Sequence, residues 1–435
     1  MKTLGEIHIS KPILKHRKLT NTVTTSKELT KYIKQKQLFL EYENEIHANE
    51  SIINIPMTAT MLPLAWLTGS DIYIDIIDQT FKESMDKLKT LFQKMYPKAS
   101  FKTEIIAEKL VKNHVKVENM ENRTGLMFSG GVDSMYSLIN NINKKPNLIM
   151  MWGADNFQYP EHAPHWEKTI SIYKQFAHEK DLSLDIIKTN ITRILDLRRI
   201  EHQYHQELYN GRLRSGISHS LVLLPAAAPL SEGRFNQMII AASYTPEFDL
   251  SRSPRAAVPE LDEMINWANL SVIHDGFISR KEKIDGISQY YKNNGVMLRV
   301  CLRSEINEGK INDSKCEKCL RTIASLVLAG VDPNECGFTA DETFFKDLRR
   351  YWENRTAVRY GSWLEIQRLI PDKLEDDFHG SKEFFEWFRG FDFKTTEKNW
   401  FFVDLYMRLP YSFAKGLDMI YRKFHINVHE NPFIR

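Results

Sequence analysis

The sequence predicts an α/β protein built on a parallel sheet with helices on both faces, with an α+β segment before it and a helical segment after it. Three observations carry this. Apolar runs alternate with amphipathic helical stretches from residue 125 to about 328. A glycine turn joins the first of those runs to its helix at residues 124–139, TGLMFSGGVDSMYSLI. Asp332-Pro333-Asn334 then breaks the chain, and the remainder is rich in aromatic and charged residues at helical spacing. The expected domains are 1–120, 121–340 and 341–435.

The chain has 435 residues, 42% of them hydrophobic and 26% charged, with a formal net charge of +3. That is more than one typical domain, with ample core. The net charge is too small to make a case for nucleic acid or an anionic membrane. The N-terminal MKTLGEIHISK lacks an apolar signal core. No apolar run reaches the roughly 18 residues needed to span a bilayer. Four cysteines, three of them clustered, do not make a secreted disulfide scaffold. The expectation is a cytoplasmic protein.

In order, residues 7–13, 38–42 and 72–77 read as strands, 53–66 as a buried helix and 81–95 as an amphipathic helix. The tract 101–117 alternates loosely, and the polar tract 15–36 reads as solvated surface. Strands are expected at 126–128, 148–152, 183–187 and 238–243, with helices at 133–142, 165–179 and 218–229. Helices at 344–352, 363–370, 384–388 and 405–424 make up the C-terminal segment. Its mixture of Arg and Lys with Phe and Tyr could stack on single-stranded nucleic acid, but a helical aromatic core is the simpler reading.

The chemistry concentrates at Ser129-Gly130-Gly131-Val132-Asp133-Ser134. A helix start exposes unpaired N–H groups and the positive end of the dipole. Two glycines let a phosphate approach those groups, and Ser129 and Ser134 add hydroxyls. Asp133 repels phosphate unless it holds Mg²⁺. The lysine of a P-loop, the GxGxxG of a dinucleotide site and the first glycine of a serine-hydrolase elbow are all missing. Asp155, after the next strand, is a second candidate for Mg²⁺ or ribose, or an Asx turn. His219 interrupts an apolar helix, Arg252 and Arg255 lie on a loop after a strand where their forks would suit phosphate or carboxylate, and His274, a candidate for proton transfer, precedes a turn and a helix capped by Ser279 at Arg280.

Cys301 and Cys316-x-x-Cys319 have metal-site spacing, which suits tetrahedral Zn²⁺. The fourth ligand is open among Asp313, Cys336 and His274. Redox chemistry and plain buried thiols are the alternatives.

The hexapeptide SGGVDS resembles the SGGxDS phosphate loop of the PP-loop ATP pyrophosphatases, also called adenine nucleotide alpha hydrolases. RVC followed by CEKCLRT resembles the tail of the members related to 7-cyano-7-deazaguanine synthase. That resemblance spans about residues 125–331. It implies ATP cleavage between the α and β phosphates and activation of an acceptor carboxylate or amide for attack by an amine. It implies phosphate binding by Ser129, Gly130, Gly131, Val132 and Ser134, Mg²⁺ on Asp133, and Lys318 and Arg321 near the phosphates. It implies zinc on Cys301, Cys316 and Cys319, with Asp313 where those relatives carry a fourth cysteine. A small-molecule or peptide acceptor is the expected partner, with a homodimer as a candidate assembly and no membrane or nucleic acid. The rival readings are RNA thiolation by a sulfur-bearing cysteine pair and a non-catalytic nucleotide-binding module.

Overall fold

A computed structural model describes residues 5–114, 117, 123–154, 159–160, 163–209, 211–246, 254–301, 310–353, 361–374, 377–393, 409, 411–413 and 416. Eleven strands form one mixed, mostly parallel sheet. In chain order they are β1 (Glu6–Ile9), β2 (Ile13–Lys15), β3 (Lys18–Thr25), β4 (Gln37–Tyr42), β5 (Asp71–Asp78), β6 (Ile105–Val111), β7 (Thr124–Met127), β8 (Asn147–Trp152), β9 (Leu184–Thr189), β10 (Gln237–Ala241) and β11 (Ser271–Asp275). Across the sheet the order is β11-β10-β7-β8-β9-β4-β3-β1-β5-β6, with β2 paired to β3.

The five strands from β11 to β9 pair in parallel. Every residue of β7 is buried, as are the first five of β8, so both faces of the centre are covered. Chain order in this half runs outward from β7 in two directions, β8 then β9 on one side and β10 then β11 on the other. The reversal falls between β7 and β10. In open α/β sheets that point opens a crevice at the carboxyl ends of the strands.

β4 pairs antiparallel to β9 and joins the N-terminal strands to the same sheet. The Asn190 side chain secures this seam. It accepts from Phe39 N at 2.9 Å and donates to Gln37 O at 2.8 Å. The chain divides into two compact units, Met1–Lys283 and Ile284–Arg435, rather than into the three segments read from the sequence. A shared sheet leaves no natural break near residue 120.

Two local expectations change. The polar tract 15–36 holds β3, an interior strand flanked by β1 and β4. Its inward positions Leu19, Asn21 and Val23 are buried, and Asn21 Nδ2 donates to Asn54 Oδ1 at 3.1 Å. Threonines at the intervening positions fit a pleated surface, so low hydrophobicity hid a true strand. The turn expected around His274 is the end of β11.

The helix Ile55–Thr68 is buried on all sides. With the preceding turn it is long and apolar enough to cross a membrane, yet the whole stretch Glu50–Thr68 lies inside the unit. Its hydroxyls are satisfied internally. Thr58, Thr60 and Thr68 donate to the carbonyls of Asn54, Pro56 and Leu64 at 2.9, 2.7 and 2.8 Å. In the second unit the helices Phe344–Glu353, Gly361–Arg368 and Ser381–Arg389 pack an aromatic core. Trp352, Trp363 and Phe388 meet with centroids 5.1–5.7 Å apart.

The amino ends of β8 and β9 are tied by charge. Arg234 donates to both oxygens of Asp185, at 3.1 and 2.6 Å, and the Asp185 side chain is 3% exposed. Asn147 and Asn44 also donate to that carboxylate. Arg234→Ala leaves a buried carboxylate without its cation. We expect a loss of about 2–3 kcal/mol in urea unfolding followed by circular dichroism.

Candidate functional sites: an anion loop and a cysteine knuckle

β7 gives way to the loop at Phe128, whose N–H still donates to Ile149 O at 2.9 Å. Ser129 follows, and Gly130 turns the chain at φ +73°. A Cβ on Gly130 would lie 2.0 Å from Tyr173 Oη, so conformation and space both demand glycine there. Tyr173, from the helix Ala163–Glu179, donates its hydroxyl to Gly130 O at 3.1 Å and meets the Phe128 ring edge-on at 5.1 Å. Gly131 is the N-cap of the helix Val132–Asn140 and brings no side-chain cap. The helix thus starts with unpaired donors beside a turn with no side chain in the way, which suits an anion.

The two serines organise the loop from within. Ser134 Oγ accepts from Ser129 N at 3.2 Å and lies 3.2 Å from Ser129 Oγ, which accepts from Gly131 N at 3.3 Å. No histidine hydrogen-bonds to the Ser129 hydroxyl among the described residues. Asp133 stands at the second helical position, where the helix dipole favours an anion. Its Oδ1 accepts from Lys283 Nζ at 2.8 Å, and Lys283 also donates to Ala242 O at 2.6 Å. The lysine therefore spans the segments that follow β7 and β10, across the strand-order reversal.

Neither Tyr173 nor Lys283 stands out in the sequence. Tyr173 reads as one more apolar position on a helix. Lys283 leaves one trace. It lies in the first turn of the helix Arg280–Asn294, an end that disfavours a cation. That helix opens with a capping box, in which Ser279 Oγ accepts from Glu282 N at 3.2 Å and Glu282 accepts from Ser279 N at 2.9 Å.

Asp155 and Arg252 lie outside the described residues. Arg255 is engaged by Ser215, its Nη1 3.3 Å from that hydroxyl. His219 lines a small cavity of about 30 Å³ with Thr60, Thr192, Arg214 and Ser218. His274 does not belong to the cysteine cluster. Its Nδ1 lies 2.8 Å from Asp262 Oδ2, and both side chains are at most 1% exposed.

The second unit holds the cysteine knuckle. Cys301, Asp313, Cys316 and Cys319 bring four potential ligand atoms within 4.8 Å of one another. Cys316 Sγ lies 3.5 Å from Cys319 Sγ and 3.9 Å from Cys301 Sγ. A Zn–S bond of about 2.3 Å sets the edge of a tetrahedral thiolate site at about 3.8 Å. A disulfide needs about 2.05 Å. The spacing is that of a metal site, and the cluster can hold a metal ion such as zinc.

Asp313 is built into the knuckle. Its Oδ1 accepts from Lys315 N and Cys316 N, both at 2.9 Å, and its own N–H points to Cys301 Sγ at 3.4 Å. Cys336 is buried outside this cluster. Behind the ligands sits Asn312, 1% exposed, which no motif announces. It accepts from Val300 N and Cys301 N and donates to Leu298 O and Gly337 O. Arg321 pairs with Glu317 at 3.3 Å and donates to Ser362 Oγ at 2.8 Å. Lys318, on the same helix Glu317–Leu328, is partly buried.

Comparison of the chain with protein-family models, curated proteins and solved structures finds no match.

Hydrogen bonding to Cys301 and burial push the Cys316 thiol up to about 12, and burial pushes Cys319 well above its usual value. Without a cation Cys316 and Cys319 are therefore protonated at neutral pH, and a metal must displace those protons. Adding Zn²⁺ to metal-free protein in weak buffer should release about three protons per bound ion. Affinity against a competing chelator should rise as pH rises. Asp313→Cys should bind Co²⁺ with stronger thiolate-to-metal absorption than the natural chain. Cys316→Ser should lose most of that band.

Proposed function

We propose that the chain is an ATP pyrophosphatase-type enzyme of the PP-loop kind. It adenylylates an acceptor carboxylate or amide, releases pyrophosphate and passes the activated group to an amine. The observation that carries this reading is the Ser129–Ser134 loop. It is an uncapped helix start with a glycine-only turn, at the carboxyl end of a central parallel strand, with an acidic side chain one residue into the helix.

In this reading the N–H groups at the start of the helix Val132–Asn140, with Ser129 and Ser134, bind the phosphate oxygens of ATP. Asp133 is the residue suited to hold Mg²⁺, which would shield phosphate charge when bound. Fixed donors aimed at the phosphates would stabilise charge as the α–β bond breaks. Lys283 supplies a fixed cationic group within reach of Asp133. The nucleophile needs little activation, because AMP is a good leaving group. The cysteine knuckle would serve as a structural metal site, and its thiolates, once on a metal, are poor sulfur donors for the rival thiolation chemistry.

Incubation with α-labelled ATP, Mg²⁺ and a small-molecule extract tests this. AMP and pyrophosphate are expected, falling at least about 100-fold in Asp133→Ala, the scale of removing a group that stabilises transition-state charge. ADP and phosphate would reject α–β cleavage. Sulfide release on reduction would favour the thiolation reading, and Asp133-dependent ATP retention without turnover under many acceptors would favour a nucleotide-binding module.

A further inference from the structure

Lys283 is a buried cation that shares the carboxylate assigned to the metal. Its side chain is 3% exposed and that of Asp133 is 36% exposed. The ammonium is held from two sides, by Asp133 Oδ1 at 2.8 Å and Ala242 O at 2.6 Å. One holder is a charge and the other a neutral carbonyl. An ammonium taken out of water needs its counter-charge, so it does not release Asp133 without another anion. A divalent cation on Asp133 would sit close to that ammonium and be repelled by it. The same lysine lies at a helix start, where the dipole adds to its need for an anion. One place for it is the uncapped start of the helix Val132–Asn140, which bears Asp133 itself.

We propose that Lys283 is a positioning residue that withholds Asp133 from divalent cations until a polyphosphate gives its ammonium a second anion. Metal and triphosphate then load together, and the metal does not load alone. The inference rests on the ATP reading of the loop and adds an order of binding to it. A phosphate oxygen takes over part of the ammonium's charge, and the hold of Lys283 on Asp133 loosens.

The test uses the full chain with its cysteine site filled with Zn²⁺ and Mn²⁺ in place of Mg²⁺. Free Mn²⁺ is read by electron paramagnetic resonance with and without α,β-methylene-ATP, and Asp133→Asn defines the background. In the natural chain, Asp133-dependent Mn²⁺ binding should tighten at least tenfold when the analogue is present. In Lys283→Met, Mn²⁺ should bind without the analogue at least tenfold more tightly than in the natural chain, and the analogue should bind more weakly. Lys283→Gln replaces it if the Met variant fails to fold by circular dichroism. Equal Mn²⁺ binding with and without the analogue, or no change in the Lys283 variants, overturns the inference while analogue binding leaves the ATP reading standing. Absence of analogue binding in equilibrium dialysis rejects the ATP reading, and with it the polyphosphate trigger.

Discussion

Backbone pairing on both edges of β7 is the constraint from which the anion loop follows. β10 bonds to one edge and β8 to the other. A strand held on both sides inside a covered sheet cannot turn aside until its pairing ends. The chain leaves at Phe128, where the last ladder bond goes to β8, and must then reverse into a helix within three residues. Only a positive φ makes so tight an exit, and Tyr173 fills the space where a side chain would go. The loop's geometry is thus a consequence of sheet position as much as of the glycines.

The sequence made the parallel half of the sheet legible because strands buried on both faces read as continuous apolar runs. LIMMW and QMIIA announce themselves in this way. β3 did not, because a strand with alternating Leu19, Asn21 and Val23 among threonines has the composition of a surface tract. β11 was obscured for a related reason. It is an edge strand of five residues ending in His274 and Asp275, and polar residues near a glycine suggest a turn. The loop was legible because its six residues are contiguous, and the knuckle because Cys316-x-x-Cys319 has metal-site spacing on its own. Tyr173, Lys283 and Asn312 were not, since each acts on a segment 12 to 150 residues away.

The two sites use different means to hold charge. At the knuckle, buried thiols lie at metal-site spacing and stay protonated until a cation arrives. Asn312 makes four hydrogen bonds that fix the backbone on either side, so the ligands are prepared before the metal binds. Asp313 fits this frame because its Oδ1 is already occupied by two backbone N–H groups. One carboxylate oxygen anchors the turn and leaves the other for a metal. A cysteine there could ligate but could not anchor the turn in the same way, which gives the aspartate a physical reason to be present.

At the loop the preparation is of the opposite kind. Burying an ammonium costs far more than one neutral carbonyl returns, so Lys283 is tolerable only because Asp133 lies 2.8 Å away. Asp133 in turn keeps solvent on its other side, and its charge is not sealed in. An internal ion pair of this kind contributes little net stability. A lysine used for packing alone could be replaced by an apolar residue without a buried charge to neutralise. At a helix start, across the reversal in strand order, Lys283 places a fixed cation against Asp133. The resulting concentration of positive potential suits an anion, and the ion pair keeps that charge in place.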